Sequence, residues 1–450
     1  MISFKTKIIN PGRKPFFTFP AKPRKESGIS INDIVHFRIS KNDRYGNFVN
    51  RIGKWGKVNV PSSITRKMKL KNHDLISIKI LNRESKIKSF KRKDIIDLSE
   101  IKGFHDIHFL GQNGTLILWK KYNRELIMPR LVKISPNFVK MMYLIFGDGH
   151  FKTKLFFTNH RWRIIDLVLE EFYRSLNIPR DSWRCRLTVN IAYPNPKNFW
   201  KKILNLEEEQ FHPNISRTEY NTQKQGIIRI INSTLLTHIF SFLMNNINQK
   251  LSRVNAVYAL DGLLNAEGNV LLGSEGIHRV TISFNESEKE LFKMILKKSN
   301  SECVFQEKED RLTISKWKNI YEFLKSFVEF NSIPFSLRPQ DAFNLISGFL
   351  NHRRTKALKN YLETMSKYPN QPFLSIAKLS NRHNKSTRVT LLVRCKEFVN
   401  ARMKNHKRLI LISKEGKTLL NLIKQLEKWL PPLKKLCDED LSILKELEVN

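Results

Sequence analysis

Two periodicities divide this chain. Near its start, apolar and polar positions alternate in short runs broken by Pro, Gly and Asp, the pattern of half-buried strands. The stretch "FTFPAKPRKESGISINDIVHFRIS", from Phe17, can be laid over "KVNVPSSITRKMKLKNHDLISIKIL", from Lys57. Pro20 then falls on Pro61 and Asp33 on Asp74, each pair 41 positions apart. After each Asp comes an alternating strand: Ile34, Val35, Phe37 and Ile39 in one copy, Leu75, Ile76, Ile78 and Ile80 in the other. Each copy reads as strand, Pro-led turn, short basic helix, Asp turn and strand. Neither can bury its apolar face alone, so the two are expected to pair into one small β-rich barrel spanning 1–85.

Further along, longer apolar runs take over. Asn137 to Phe146 is long enough for a helix, with Ser135 as its cap and Pro136 in its first turn, and it closes as "YLIFGDGHF". "VYALDGLLNAEGNVLL", Val257 to Leu272, does the same and closes on Glu267-Gly268. An acid on the last turn of a helix sits where the backbone already presents partial negative charge, so a cation is expected near each end. After each acid follow two strand-like runs, an amphipathic helix, further strands and a closing helix. Two αββαββα units in tandem describe this, over 129–250 and 251–330. The acids are 119 positions apart, and a polar insertion between Pro194 and Gln225 accounts for the extra length.

Strand alternation sorts candidate binding residues. "RCRLTVN" puts Leu187 and Val189 inward and leaves Arg184, Arg186, Thr188 and Asn190 outward; "HRVTISFN" leaves Arg279, Thr281 and Ser283, and "RLTIS" leaves Arg311, Thr313 and Ser315. These are side chains that read base edges from a β-ribbon in a major groove. Residues 86–128 read as a basic linker with short strands. Residues 331–372 read as a Pro-punctuated boundary followed by a helix, and 373–450 as a separate C-terminal domain. Its last phrase, "LPPLKKLCDEDLSILKELEVN", reads as a helix pair.

Charge sharpens the picture. The 450 residues carry 80 Lys+Arg against 41 Asp+Glu, a formal net charge of +39. Basic residues recur along the whole length, which points to a polyphosphate partner. Hydrophobic residues make up 41%, enough for globular folding. Cys185, Cys303, Cys395 and Cys437 form no C-x-x-C pair, so neither a zinc site nor a disulfide framework is expected. With no apolar leader and no spanning run, the expectation is an intracellular protein, cytoplasmic or organellar, neither secreted nor in a membrane.

Two such units, each opened by an apolar helix closing on acid-Gly, resemble the LAGLIDADG homing endonucleases in their two-motif, single-chain form. The motifs are "MMYLIFGDG" (Met141 to Gly149) and "LDGLLNAEG" (Leu260 to Gly268), and the likeness covers roughly Pro129 to Phe330. It implies an α+β multidomain chain whose motif helices pack together beneath a DNA-binding saddle. Gly262 suits that close approach, whereas Tyr143 stands where the family has a small residue. The resemblance further implies Asp148 and Glu267 as catalytic metal ligands, with the carbonyls of Gly147 and Ala266 facing Mg²⁺ or, in its place, Mn²⁺. His160, Asn159 and Lys289 stand nearest the family's auxiliary basic positions, with Glu286 competing for the last; the usual lysines are missing, so slow or lost cleavage is an expectation too.

The flanking parts carry resemblances of their own. The tandem repeat resembles the swapped-hairpin DNA-binding domains of prokaryotic transition-state regulators, with a dimer's halves fused. "FLSIAKLSNRHNKSTRVTLLVRCKEFV" followed by "LILISKEGKTLL" resembles a winged helix, in which Arg382, Lys385, Arg388 and Arg394 would approach DNA. The expected function is therefore site-specific double-strand DNA cleavage, as in intron homing, by a monomer with internal pseudo-two-fold symmetry. A non-cleaving sequence-specific regulator and an intron-RNA maturase are the alternatives. An intein is not expected, since the residue before Asn450 is Val449 rather than histidine.

Overall fold

The structure is a computed structural model, and it describes all residues except 1, 10–14, 84–91, 102–105, 111–114, 120–125, 152, 221–222, 274–275, 301, 309, 382–390, 392, 394, 405–406 and 450. It is a mixed helix-and-strand fold with several small sheets.

At the N-terminus, β1 (Ser3–Lys7), β2 (Phe16–Thr18), α1 (Ala21–Glu26), β3 (Ile34–Lys41) and β4 (Arg44–Arg51) lead into β5 (Lys57–Asn59), α2 (Ser62–Lys67) and β6 (Leu75–Arg83). The two sequence copies interlock. β2 pairs with β5 and β3 with β6, all antiparallel, and each pairing places residues 41 positions apart opposite one another: Phe17 with Val58, and Arg38 with Lys79. Phe37–Ile80 and Ile39–Ile78 therefore exchange under a local two-fold axis. β1 lies on β6 as β4 lies on β3, giving the order β1-β6-β3-β4. The turns repeat as well. Asn32 and His73 are both left-handed, and the carboxylates of Asp33 and Asp74 accept from the amides of Ser30 and Lys71 at 2.7 and 2.6 Å.

Phe17, Phe19, Phe37 and Phe48 fill the space between the layers. The expected barrel does not close. Instead, the β2-β5 ribbon stays two-stranded beside an open four-stranded sheet. Pro20 and Pro61 each follow a ribbon strand by two residues, and a residue without an N–H cannot carry the ladder onward.

β7 (Ile95–Asp97), β8 (Asp106–Leu110), β9 (Thr115–Trp119), β10 (Leu126–Pro129) and β11 (Leu131–Lys133) form a β10-β9-β8 sheet and a β11-β7 pair. Ile96, Leu98, Met128 and Val132 are buried in the main core, and Arg130 and Asp97 form a buried ion pair. This stretch is thus packed structure as well as a connection.

The first unit runs α3 (Pro136–Asp148), β12 (Gly149–His150), β13 (Phe156–Asn159), α4 (Trp162–Leu176), β14 (Arg184–Asn190), α5 (Lys197–Leu204), β15 (Ser216–Thr218), β16 (Ile227–Ile231) and α6 (Thr234–Gln249). The second runs α7 (Arg253–Glu267), β17 (Gly268–Gly273), β18 (Gly276–Ser283), α8 (Lys289–Ser299), β19 (Gln306–Lys308), β20 (Arg311–Ser315) and α9 (Trp317–Glu329). The sheets are ordered β12-β13-β16-β14-β15 and β17-β18-β20-β19. With β15 set aside the two orders correspond strand for strand. α5 and β15 both come from the inserted stretch, and β15 adds itself in parallel to the edge at β14.

Beyond the units come α10 (Pro339–Asn351), α11 (Arg353–Lys367), β21 (Gln371–Pro372), α12 (Phe373–Leu379), the hairpin β22 (Val399–Lys404) and β23 (Lys407–Ile412), and α13 (Lys414–Val449). Strand order in the last sheet is β21-β23-β22. The expected terminal helix pair is one helix, continuous through Pro431 and Pro432. Each proline withholds an amide from the ladder, but Leu422, Ile423, Leu426, Trp429 and Leu433 are buried in the core on both sides of the interruption. Packing overrides propensity there. Near its start, Glu415 pairs with Lys325 of α9 at 2.8 Å, and near its end Asp440 pairs with Arg163 of α4 at 2.8 Å, so α13 braces both units. Among the described residues no helix is long and apolar enough to cross a membrane.

One pH dependence follows from the N-terminal sheet. His36 on β3 is 8% exposed, and burial, followed by the charge of Arg38, holds its pKa down at about 4. The unfolded imidazole titrates near 6.5, so its contribution is complete above that pH. It is lost as pH falls toward 4, by roughly 3 kcal/mol at full protonation. Thermal unfolding followed by circular dichroism between pH 7.5 and 4 should show the loss, and His36→Leu should diminish it.

Candidate active site

The two motif helices form the centre of the molecule. α3 begins where the Ser135 hydroxyl accepts from the Phe138 amide at 3.2 Å, and α7 where Ser252 accepts from Asn255 at 3.2 Å. Both helices are buried over most of their length, because each packs between its own unit and its twin.

Small residues set how near they come. A Cβ on Gly262 would lie 2.5 Å from the Lys140 carbonyl oxygen and 3.1 Å from the Tyr143 Cβ, and one on Gly147 would lie 2.7 Å from the Ala266 Cβ and 3.3 Å from the Glu267 Cγ. The backbones thus meet at mid-helix and again at the acidic ends. Tyr143 is accommodated because its ring turns aside, fully buried, and its hydroxyl hydrogen-bonds Asn248 of α6.

This contact brings Asp148 and Glu267 together at one end of the helix pair. Burial first, then the Glu267 charge, pushes the Asp148 carboxyl up to about 7; a 3.0 Å hydrogen bond from Asn159 and the charges of Arg338 and Arg161 pull the other way. Glu267 is raised as well, by burial and then by Glu288. Two carboxylates forced together at helix C-termini are a setting that a hard divalent cation relieves. Among the described residues no cluster of three His, Cys, Asp or Glu side chains is gathered. The side chains present at the helix ends are two carboxylates, and Mg²⁺ is an ion that binds through one or two carboxylates with water and substrate phosphate as its other ligands.

A positive side chain, Arg338, does reach the end of α7, from the segment that follows the second unit. Its guanidinium donates to the Leu264 and Gly268 carbonyls at 3.1 and 2.5 Å and to Asp341 at 2.5 Å. Ser336 fastens the same segment. Its hydroxyl donates to Asp261 at 2.6 Å, while Lys140 of α3 reaches that fully buried carboxylate at 2.9 Å. Neither Arg338 nor Arg161 is marked in either motif, and nothing local in the sequence points to them.

The auxiliary residues fare differently. Asn159 is at the site, holding Asp148. The His160 imidazole is pulled down to about 4 by burial, and its carbonyl accepts from Gln225 at 3.2 Å. Lys289 lies in ion pairs with Glu307 at 2.6 Å and Glu286 at 3.3 Å.

On the sheets, Arg184 and Arg186 are exposed, with Cys185 and Leu187 buried between them. Thr188 and Asn190 are half-buried, and Asn190 caps the strand end by accepting from the Ala192 amide at 2.7 Å. In the second unit Arg279 and Ser315 are half-buried partners, Ser283 is exposed, and Arg311 pairs with Asp310 at 2.7 Å. Thr281 and Thr313 do not project to solvent as expected. They are 7% and 3% exposed, paired across the middle of the sheet in a row with the longer Asn269 and Gln306. Arg382, Lys385, Arg388 and Arg394 lie outside the described residues. Arg229 of β16, exposed and directly opposite Arg186, belongs to the same basic face and was missed because "GIIRIIN" reads as a buried apolar strand.

No protein-family model and no curated protein matches the chain. Among solved structures, PHS018 from Pyrococcus horikoshii, a solution structure, is similar at 24% identity over 19% of this chain and 95% of that one. Its TM-score is 0.17, and the likeness carries no argument about fold or function.

The helix contact predicts a stability effect. Gly262→Ala should destabilise by about 1–3 kcal/mol, because the added methyl meets backbone that cannot swing away. Urea denaturation would measure it, with Ala259→Gly as a comparison at a site on the same helix.

Proposed function

We propose that this chain is a site-specific double-strand DNA endonuclease of the LAGLIDADG type, its two sheets forming one saddle over the paired helix ends. The observation that carries this reading is the juxtaposition of Asp148 and Glu267 at the ends of two closely packed helices, each opening a unit of the same strand order. An isolated helix ending on acid-Gly is ordinary; two brought together by a repeat support the reading of a site.

In this reading Asp148 and Glu267, with the Gly147 and Ala266 carbonyls, would hold Mg²⁺. When bound, the ion lowers the pKa of an attacking water and offsets charge on the leaving oxygen. Asn159 fixes the Asp148 carboxylate by its hydrogen bond. Arg338 draws off the partial charge of the α7 terminus, so that two acids can coexist there. Arg184, Arg186 and Arg229 supply positive charge to the DNA backbone.

Asp148→Asn or Glu267→Gln should lower Mg²⁺-dependent cleavage by at least roughly a hundredfold, about 2.7 kcal/mol of barrier. Metal-free DNA affinity should hold or rise. A random-library selection followed by a cleavage assay supplies the substrate for that comparison. Separately, Arg184→Ala with Arg186→Ala should weaken binding and flatten its salt dependence by up to roughly two units of slope.

A specific observation favours a second reading. Lys289 is engaged by Glu307 and Glu286, so its ammonium group is taken up in ion pairs instead of standing ready to organise water at the helix ends. The protein would then be a non-cleaving regulator or an intron-RNA maturase on the same scaffold. Tight binding of a defined site without cutting in Mg²⁺ or Mn²⁺ would establish this reading in place of the first.

A further inference from the structure

The inserted stretch between the third and fourth main strands of the first unit does more than lengthen it. Its Phe211 bridges in parallel to Cys185 of β14, and the His212 amide donates to the Cys185 carbonyl at 2.8 Å. Glu209 to Pro213 therefore stand as a wall along the sheet edge. Between that wall and the outward face of the sheet lies a cavity of about 540 Å³. Its apolar lining comes from Phe156, Ile231 and Phe211; its basic lining comes from Lys154, Arg184, Arg186 and Arg229. Glu209 also lines it, and its carbonyl accepts from Arg184 at 3.4 Å.

An aromatic layer is already assembled there. His150 on β12 stacks on Phe156 of β13 with ring centres 4.6 Å apart and 15° between planes. From the strand on the other side, the Arg229 guanidinium lies 4.8 Å from the Phe156 ring centre, steadied by a 3.1 Å hydrogen bond from its Nε to Thr158. Arg229 is exposed beyond that contact.

The geometry points to a pocket for one unstacked nucleotide, its base laid against the Arg229–Phe156 layer and its phosphate met by Arg184 and Arg186. The inference rests on the nucleic-acid reading above and deepens it. A duplex with all bases paired presents only edges to a sheet, and an edge cannot fill a recess of this size. A base that leaves the stack offers a flat face, and guanidinium planes and aromatic rings are the surfaces on which such bases lie. The cavity falls within the size range of small-ligand sites, and its apolar floor with a cationic rim matches a base joined to a phosphate. The second unit has no counterpart insertion, so the pocket would engage one half of the target and give the pseudo-symmetric protein an orientation.

The test uses the full-length protein and two DNA probes of one sequence, a fully paired 30-mer duplex and the same duplex with a single bulged 2-aminopurine. Equilibrium binding is measured by anisotropy, and base environment by 2-aminopurine fluorescence. The expected result is at least tenfold preference for the bulged probe, with a fluorescence change on binding. Arg229→Ala and, separately, Phe156→Leu should bring that preference near parity, their folding checked by thermal melts. A bulged RNA duplex of the same sequence, run in parallel, tells which nucleic acid supplies the base. Equal binding of paired and bulged probes by the wild type would overturn the pocket while leaving the nucleic-acid reading standing. A preference that survives both substitutions would overturn it too. Failure to bind any probe would remove both.

Discussion

The close approach of α3 and α7 is the constraint on which the rest depends. Gly262 lets one backbone lie directly on the other, and Gly147 does the same at the acidic ends. Any side chain there would hold the helices apart, separate the two acids and break the continuity of the core that both units share. The contact also sets an electrostatic problem. It places two carboxylates side by side at helix ends, in partial burial, where both protonation equilibria move upward. A fold that tolerates this has provided for positive charge at that spot.

Positive charge is built in there. Arg338 caps α7 from a segment outside either unit, and Ser336, Asp261 and Lys140 hold the segment in place across the helix pair. A buried ion pair of this kind contributes little net stability once desolvation is counted. Its effect is positional, since it fixes where the chain leaves the second unit and where Arg338 comes to rest. α13 acts on a larger scale, with its ends paired to α9 and α4, so the units are joined by the helix contact beneath and by this brace across them. The C-terminal third thus enters the architecture of the candidate site instead of hanging from it.

The N-terminal region solves a smaller version of the same problem. Two copies, each too small to bury its apolar face, exchange strands around a local axis through Phe17–Val58 and Arg38–Lys79. Matching left-handed turns at Asn32 and His73 show that the repeat extends to backbone conformation. Twice, then, this chain repeats a unit and builds a core that the copies share.

Patterns that are local in the chain could be read from the sequence by itself. The two apolar helices closing on Asp148 and Glu267 and the alternation that exposes Arg184 and Arg186 lie within one element's length, and the 41-residue repeat shows itself by matching residues at a fixed spacing, so periodicity and spacing carry the information. Tertiary structure decided the rest, each time through contacts between distant residues. Pro20 and Pro61 stopped the ribbon from closing a barrel, although the repeat itself had suggested closure. Buried packing carried α13 through two prolines that locally signal a break. Thr281 and Thr313, outward by alternation, sank between longer neighbours on flanking strands. Arg338 lies 71 positions beyond Glu267, in what reads as a plain boundary segment, and only the folded chain brings it to the helix end. Spacing shows which residues share a face, whereas charge compensation and burial depend on what the fold sets against that face.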